Sequence, residues 1–152
     1  MSEINYRLGR VADAAEIRNQ IWQGRTGYPL SETYLSDMKF EEDIRHQCAR
    51  RSIRVAELDH RILGVMTMRA NEVYYLAIDE AVRRRGIARS LIFLAKKKWS
   101  HLEAKVRDDN ASMVSLLLSE GFVVDRLMFC KVPGWSGYRW SRRGEMAKLG
   151  QA

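Results

Sequence analysis

One segment of the chain constrains its fold more than any other, because an apolar run, a basic turn and an amphipathic helix follow one another directly. Val73–Ile78 is apolar at every position, which predicts a central strand buried on both faces. Three arginines and Gly86 come next, and apolar residues then recur at the three-to-four spacing of a helix with one buried face. The predicted buried stripe of this helix consists of Ile87, Leu91, Leu94, Ala95 and Trp99.

The turn before this helix has the chemistry of an anion site. The first turn of a helix has backbone N–H groups without an intrahelical acceptor, and it carries partial positive charge. Gly86 and the small Ala88 let a ligand approach that backbone, and arginine side chains surround it. The pattern predicts a pyrophosphate site, and a solvated charge run that caps a helix has the same composition.

Length and composition indicate one ordinary domain. The chain has 152 residues, of which 46% are hydrophobic and 30% charged, enough to build a core. We expect the domain over residues 1–143 and a flexible basic tail over residues 144–152. No apolar run has the length of a membrane span, and the first residues lack the regions of a signal peptide. The expected location is therefore cytoplasmic.

The residues that commonly bind metals are dispersed along the chain. Cys48 and Cys130 are far apart in sequence, and the three histidines do not pair with either at ligand spacing. We therefore expect no metal site, and free thiols in a reducing compartment.

Strand and helix patterns alternate over most of the chain, which predicts a mixed α/β domain. A capping box at Asp13 and Glu16 predicts the start of the first helix, and a turn at Asp59–His60 predicts a hairpin. A helix that begins after Asn110 should end at Gly121. The predicted strands are Tyr6–Leu8, Ile53–Leu58, Ile62–Met68, Val73–Ile78, Leu102–Val106 and Phe122–Val132, with a further helical region at about 31–51.

Two motifs in these elements resemble one known family. Arg83-x-x-Gly86-x-Ala88 is similar to the Gln/Arg-x-x-Gly-x-Gly/Ala signature of the GNAT superfamily of acyl-CoA-dependent N-acyltransferases. Asn110, followed by a helix and Gly121-Phe122, resembles the Asn…Gly-Phe segment after the fifth strand of that family. The resemblance extends over about residues 3–142. It implies a twisted, mostly antiparallel mixed sheet of six or seven strands with about four helices, in which strands four and five splay apart.

The resemblance also implies acetyl-CoA, or a related acyl-CoA, as the cofactor. The pantetheine arm would pair with the backbone of Leu76, Ala77 and Ile78 on the fourth strand. Asn110 would hydrogen-bond this arm, and its position equally suits an N-cap of the following helix. The pyrophosphate would bind the turn that begins at Arg83, on the backbone amides of Arg84, Arg85, Gly86, Ile87, Ala88 and Arg89.

The implied reaction is direct attack of an amine on the thioester. The carbonyl would be polarised by the backbone N–H of Ile78. Glu72 resembles the glutamate at the start of the fourth strand in the histone-acetylating branch, so it is a candidate general base; it can equally be a solvated residue at a strand end. Many relatives have a tyrosine four residues before the Gly-Phe pair, whose phenol protonates the leaving thiolate. This chain has Leu117 there, which cannot donate a proton.

Acceptor specificity in the family is set by two segments, which are here Trp22–Phe40 and Val132–Arg143. The second segment interleaves aromatic residues with arginines, as in proteins that bind single-stranded nucleic acid. A final strand packed through Tyr138 and Trp140 has the same pattern and is the interpretation that we favour.

Three functions remain open from the sequence. The first is an N-acetyltransferase for a primary amine on a small molecule or a protein. The second is an acyl-CoA-binding protein with little transfer activity, suggested by Leu117. The third is a nucleic-acid-associated protein, suggested by the net charge of +7, which attracts CoA, nucleic acid and acidic proteins alike. No membrane partner is expected, and a homodimer is left open.

Overall fold

The computed structural model describes residues 3–23, 38–128 and 132–142. Several features predicted from the sequence lie outside these ranges: Cys130, the tail at 144–152, Arg143, and residues 24–37 of the first acceptor segment. The strands are β1 (Asn5–Leu8), β2 (Ile53–Leu58), β3 (Arg61–Arg69), β4 (Glu72–Ile78), β5 (His101–Arg107), β6 (Val123–Asp125) and β7 (Trp135–Ser141). The α-helices of the described part are α1 (Ala14–Gln23), α2 (Met38–Ala49), α3 (Ile87–Lys98) and α4 (Ala111–Ser119).

The strands form one seven-stranded sheet in the order β1-β2-β3-β4-β5-β7-β6. Every neighbouring pair is antiparallel except β4 and β5, which are parallel and joined by α3. This is the mixed, mostly antiparallel α/β fold predicted from the sequence. The single parallel pair is the one that the basic turn and its helix connect, as a crossover connection requires.

Helices cover both faces of the sheet and bury two separate cores. On one face, α1 and α2 contribute Ile17, Ile21 and Ile44 against Val65 and Tyr75. On the other face, α3 and α4 pack their buried residues against β5 and β7; this cluster includes Leu91, Ile92, Leu117, Ala104 and Tyr138. We call these the α1/α2 face and the α3/α4 face.

Two local turns have the geometry expected from the sequence. Asp59 and His60 both have positive φ, 50° and 63°, as in the type I′ turn that connects adjacent antiparallel strands. Gly121, with φ of 88°, ends α4, where its N–H donates to the oxygen of Leu118 and that of Phe122 donates to Leu117. These two bonds form a Schellman motif.

The predicted capping box at Asp13 and Glu16 is wrong, because both carboxylates bind groups elsewhere. Asp13 closes a 3₁₀ turn by accepting from the N–H of Arg10 at 2.7 Å, and it pairs with Arg7. Glu16 accepts from the backbone N–H of Ile62 at 2.7 Å. Partners that precede α1 in the chain or lie on β3 therefore replace the capping contacts that the spacing predicted.

Two strand predictions also need correction. Of the strand expected at Phe122–Val132, the described residues up to 128 form strand at Val123–Asp125 alone, because the Asp125 carboxylate accepts from the N–H of Leu127 at 3.0 Å and turns the chain. The expected burial of Val73–Ile78 on both faces is also wrong. Burial alternates along β4, with Leu76 and Ile78 half-buried, because the β5 side of this strand opens beyond its first residues.

Candidate functional site

The most unusual feature of the sheet is the separation of its two central strands. The ladder between β4 and β5 consists of two pairs, Glu72 with Glu103 and Val73 with Ala104. Beyond them β4 continues to Ile78, and β5 continues to Arg107, without pairing to each other. The two strands therefore form a fork, closed at Val73 and Ala104 and open toward the carboxyl ends of both strands.

The backbone groups of β4 alternate between its two neighbours. The N–H groups of Tyr75 and Asp79 both point to β3, where they bond Thr67 Oγ1 at 3.0 Å and the oxygen of Leu63 at 2.8 Å. Alternation along the ladder places the backbone of Ala77 on the same side, opposite Val65. The N–H and C=O groups of Leu76 and Ile78 consequently point into the fork. The backbone N–H and C=O groups of Ala77, in contrast, point to β3 and not into the fork.

The basic turn lies at the open end of the fork. Arg84 and Gly86 have left-handed φ values of 69° and 79°, and the first intrahelical bond of α3 runs from the N–H of Ser90 to the oxygen of Gly86. The N–H groups of Ile87, Ala88 and Arg89 precede that bond and have no intrahelical acceptor. A Cβ on Gly86 would meet nothing within 4 Å, so the approach to this backbone is open. The geometry suits a bound anion.

The arginines of the turn have separate surroundings. Arg83, Arg84 and Arg85 are exposed, and Arg83 donates from Nε to the oxygen of Ile78 at 3.3 Å. Arg89 pairs with Glu120, at 3.2 Å between Nε and Oε2. The side chain of Arg83 therefore ties the turn to the end of β4.

Asp79 also lies in this region and was not predicted from the sequence as a residue of the site. Its carboxylate accepts from the N–H of Ala81 at 2.9 Å and from Gln20 Nε2 at 3.4 Å. A cleft of about 730 Å³ lies beside it, lined in part by Trp22, Ile78 and Arg83. An aspartate directly before a short helical turn is a typical N-cap, and that signal was available in the sequence.

Glu72 lies at the closed end of the fork and on the α1/α2 face. Its Oε1 is 3.6 Å from Lys105 Nζ, and its side chain is 16% exposed. Ile78 lies six residues further along β4, about 20 Å away at 3.3 Å per residue. One reacting carbonyl group therefore cannot contact both Glu72 and the Ile78 amide. The expectation that Glu72 is the base while the Ile78 amide polarises the carbonyl needs revision.

Asn110 stands between the open end of β5 and the first turn of α4. Its side-chain oxygen accepts from the N–H of Met113 at 3.3 Å, so the N-cap interpretation is confirmed. Leu117, on the same helix, is fully buried in the core of the α3/α4 face. The position at which many relatives have a tyrosine is thus part of the apolar packing.

The basic aromatic segment forms the strand that we favoured. Tyr138 is buried at 4% exposure in β7, and Lys96 Nζ lies 5.1 Å from the ring centroid of Trp140. Arg142 donates to the last carbonyls of α3, at 3.3 Å to both Lys96 and Lys97. These side chains serve packing and helix capping, which does not favour stacking on nucleic-acid bases.

No helix among residues 3–23, 38–128 and 132–142 is long and apolar enough to cross a membrane. Nor does this part of the chain bring three His, Cys, Asp or Glu residues together around a potential metal position.

Solved structures with the same fold include several acetyltransferases. PaiA N-acetyltransferase from Thermoplasma acidophilum, in complex with coenzyme A, is 17% identical with a TM-score of 0.75, covering 91% of this chain and 99% of its own. Diaminobutyrate acetyltransferase EctA from Paenibacillus lautus, in complex with L-2,4-diaminobutyric acid and coenzyme A, is 16% identical with a TM-score of 0.68, covering 93% and 96%. YncA from Salmonella typhimurium, with its cofactor acetyl-CoA, is 16% identical with a TM-score of 0.70, covering 92% and 94%.

Comparison with curated proteins gave no match. A family model, described as acetyltransferase (GNAT) domain, matches residues 23–131. The matched residues include the fork, the basic turn and the helix after Asn110. The chain therefore belongs to the GNAT acetyltransferase family.

Proposed function

We propose that this protein transfers an acetyl group from acetyl-CoA to a primary amine. The observation that carries the proposal is the fork between β4 and β5 with the basic turn at its open end. A nucleotide-linked thioester needs an anion site for its phosphates and an extended groove for its arm, and the two adjoin here. The coenzyme A and acetyl-CoA complexes of proteins with this fold support that choice of cofactor.

In this proposal the phosphates bind the backbone amides of the turn, from Arg84 to Arg89. The pantetheine arm runs into the fork along the inward-facing backbone of β4, at Leu76 and Ile78, and passes Asn110 on the β5 side. Ala77 is dropped as a contact because its backbone faces β3. The acetyl group then lies near the closed end of the fork, where the amide of Leu76 is closer to it than that of Ile78.

Glu72 is proposed as the general base, because it lies directly beside the closed end of the fork. The amine attacks from the α1/α2 face, on which Glu72 accepts its proton, directly or through one water molecule. Lys105, at 3.6 Å, restricts the orientation of the carboxylate. The adjacent Glu103 pairs with Glu72 across the ladder, shares its face and has no proposed role.

Thermal unfolding with acetyl-CoA tests the cofactor, with ATP as the anionic control. A hundredfold excess over Kd should stabilise the fold by about 2.7 kcal/mol, or raise Tm by about 5–11 °C. Gly86→Ala should weaken acetyl-CoA binding. Gly134→Ala should not, although Gly134 has nearly the same φ, 82°, and equally open space around a Cβ. An equal rise of Tm with ATP would indicate that the turn is a general anion site and is not specific for acetyl-CoA.

Release of CoA upon addition of primary amines tests the transfer step. Glu72→Gln should lower kcat at saturating acetyl-CoA by about 10²–10⁴-fold without changing the Kd of the cofactor. Glu103→Gln is the matched control and should retain the rate. Unchanged turnover in Glu72→Gln would exclude Glu72 as the base, and tight binding without turnover for any amine would favour an acyl-CoA-binding protein.

A further inference from the structure

A second cleft lies on the α1/α2 face, where the hairpin of β3 and β4 turns. It has a volume of about 500 Å³, and its lining includes residues of α2, Arg50 after that helix, and Arg69 and Tyr74 of the hairpin. This volume is in the range of small-molecule sites. The hairpin turn precedes β4 and the basic turn follows it, so the cleft and the proposed phosphate site are at opposite ends of this strand. The cleft is therefore available to the second substrate, the amine.

The cleft adjoins the closed end of the fork. Arg69 is opposite Glu72 in the pairing of β3 with β4, and Tyr74 is two residues beyond Glu72. Met68 and Val73 pack into the core of the α3/α4 face, so their neighbours along each strand point to the α1/α2 face. The Cα atoms of Glu72 and Tyr74 are about 7 Å apart. A short carbon chain thus connects the cleft with the proposed base.

Arg69 presents an oriented cation to this cleft. Its guanidinium carbon lies 3.7 Å from the centroid of the Tyr74 ring, which itself packs against the core of the α1/α2 face. A guanidinium that stacks through its face keeps the N–H donors in its plane for a carboxylate. Glu72, the single carboxylate of the hairpin, pairs with Lys105. Among the described residues, neither Arg69 nor Arg50 forms an ion pair with a carboxylate.

The charges around the cleft favour an anionic group on its ligand. Arg50 and Arg69 are permanent cations, and Asp43 is the one carboxylate among the described lining residues. His46 Nε2 lies 3.9 Å from Glu42 Oε1, so that carboxylate would balance a protonated His46. Two guanidinium groups against one carboxylate make the lining complementary to a negative charge.

We propose that the acceptor is a small amino acid that reacts through an amine at the far end of a carbon chain from its carboxylate. This inference rests on the proposed function. The carboxylate binds the guanidinium of Arg69, with Arg50 nearby, and the chain passes Tyr74 to the closed end of the fork. An extended chain advances about 1.2 Å per bond, so a span of about 7 Å corresponds to about five or six bonds between the two groups.

The transfer step at this position balances without a further reactant. The amine nitrogen attacks the acetyl carbon and forms the C–N bond, while the C–S bond breaks with its electron pair on sulfur. Glu72 takes the proton of the nitrogen, and CoA leaves as the thiolate. The product keeps its carboxylate on Arg69 and carries an acetamido group in place of the amine.

Calorimetric titration with three ligands, with and without CoA, tests the acceptor class independently of turnover. The ligands are 6-aminohexanoate, whose end groups have the required separation, hexylamine, which lacks the carboxylate, and glycine, which is too short. 6-Aminohexanoate should bind about 10–100-fold more tightly than either of the others, as expected for hydrogen bonds between charged groups. Arg69→Gln should remove most of this preference. Arg61→Gln, which changes an exposed arginine at the other end of β3, should retain it.

Tyr74 is a positioning residue in this proposal, because its ring orients the guanidinium of Arg69. Tyr74→Leu should therefore weaken the preference for 6-aminohexanoate, and Tyr74→Phe, which keeps the ring, should restore it. Equal losses in both variants would contradict the stacking role.

Turnover with acetyl-CoA separates this inference from the proposed function. The preference for 6-aminohexanoate should also appear in kcat/KM for the release of CoA. Equal Kd values for 6-aminohexanoate and hexylamine would overturn the acceptor assignment, even if hexylamine is acetylated and the proposed function stands. Preferential binding without acetylation of any amine would overturn the proposed function, and with it the acceptor role of the cleft. An equal loss of preference in Arg61→Gln would indicate an effect of net charge and not of the cleft.

Discussion

The guanidinium group of Arg7, on β1, binds carboxylates on two other segments, the 3₁₀ turn before α1 and strand β2. It donates to both oxygens of Asp13, at 2.7 and 3.2 Å, and to Glu57 at 2.8 Å. Burial alone would raise the pKa of Asp13, but the bonds from Arg7 and Arg10 outweigh it and lower the pKa. The bond from Arg7 likewise lowers the pKa of Glu57. The folded chain therefore binds fewer protons at these carboxylates than the unfolded chain.

The ion pairs of Arg7 with Asp13 and Glu57 predict that the loss of stability in Arg7→Met depends on pH. Lowered carboxylate pKa values stabilise the fold above the ordinary values of 3.8 and 4.5, and this contribution is lost as the pH falls below them. At pH 7, the loss of the Arg7–Asp13 pair in Arg7→Met should cost about 2 kcal/mol, between the values for exposed and fully buried pairs. Urea unfolding should show a progressively smaller loss below about pH 4.5. Arg45→Met, which removes an exposed helical pair, is the control. A loss independent of pH would contradict this account.

The shape of β4 depends on a bulge between this strand and β3. Thr67 pairs with Tyr75 and Met68 with Val73, so Tyr74 is an additional residue on β4. The bulge places Tyr74 and Tyr75 against the same core, with ring centroids 4.7 Å apart. It also returns Leu76 to the α3/α4 face, next to the fork.

Thr67→Val should destabilise the fold, because the N–H of Tyr75 bonds the Thr67 hydroxyl at 3.0 Å and would lose its partner in the core. An unsatisfied buried donor costs about 1–3 kcal/mol. Thr67→Ser keeps the hydroxyl, so its smaller loss should reflect only the missing methyl group. Denaturant unfolding of both variants measures the difference. Equal losses would mean that the hydroxyl does not hold the bulge.

Elements defined by local sequence could be predicted, and those defined by distant partners could not. The hairpin at Asp59–His60, the N-cap at Asn110 and the turn at Gly121 each depend on a few consecutive residues, and the structure has all three. The capping box failed because Glu16 binds Ile62, which is 46 residues away. The bulge in β4 depends on strand register, which spacing along one strand does not give.

At the scale of the whole molecule, the sheet separates two chemical environments. Glu72 lies on the α1/α2 face and Tyr138 on the α3/α4 face, on opposite sides of the fork. A ligand in the fork would contact β4, β5 and the basic turn together, and so link both cores. Binding should therefore stabilise the whole domain rather than one local segment.

Reactivity of Cys48 tests this coupling. The thiol is 5% exposed in the core of the α1/α2 face, and burial raises its pKa to about 11, so it should react only when the core opens. In a Cys130→Ser background, a hundredfold excess of acetyl-CoA over Kd should slow labelling of Cys48 about 100-fold, as expected when labelling requires global unfolding. ATP at the same concentration should not slow it. If α2 alone opened to expose Cys48, acetyl-CoA would leave the rate unchanged, and the two cores would unfold independently.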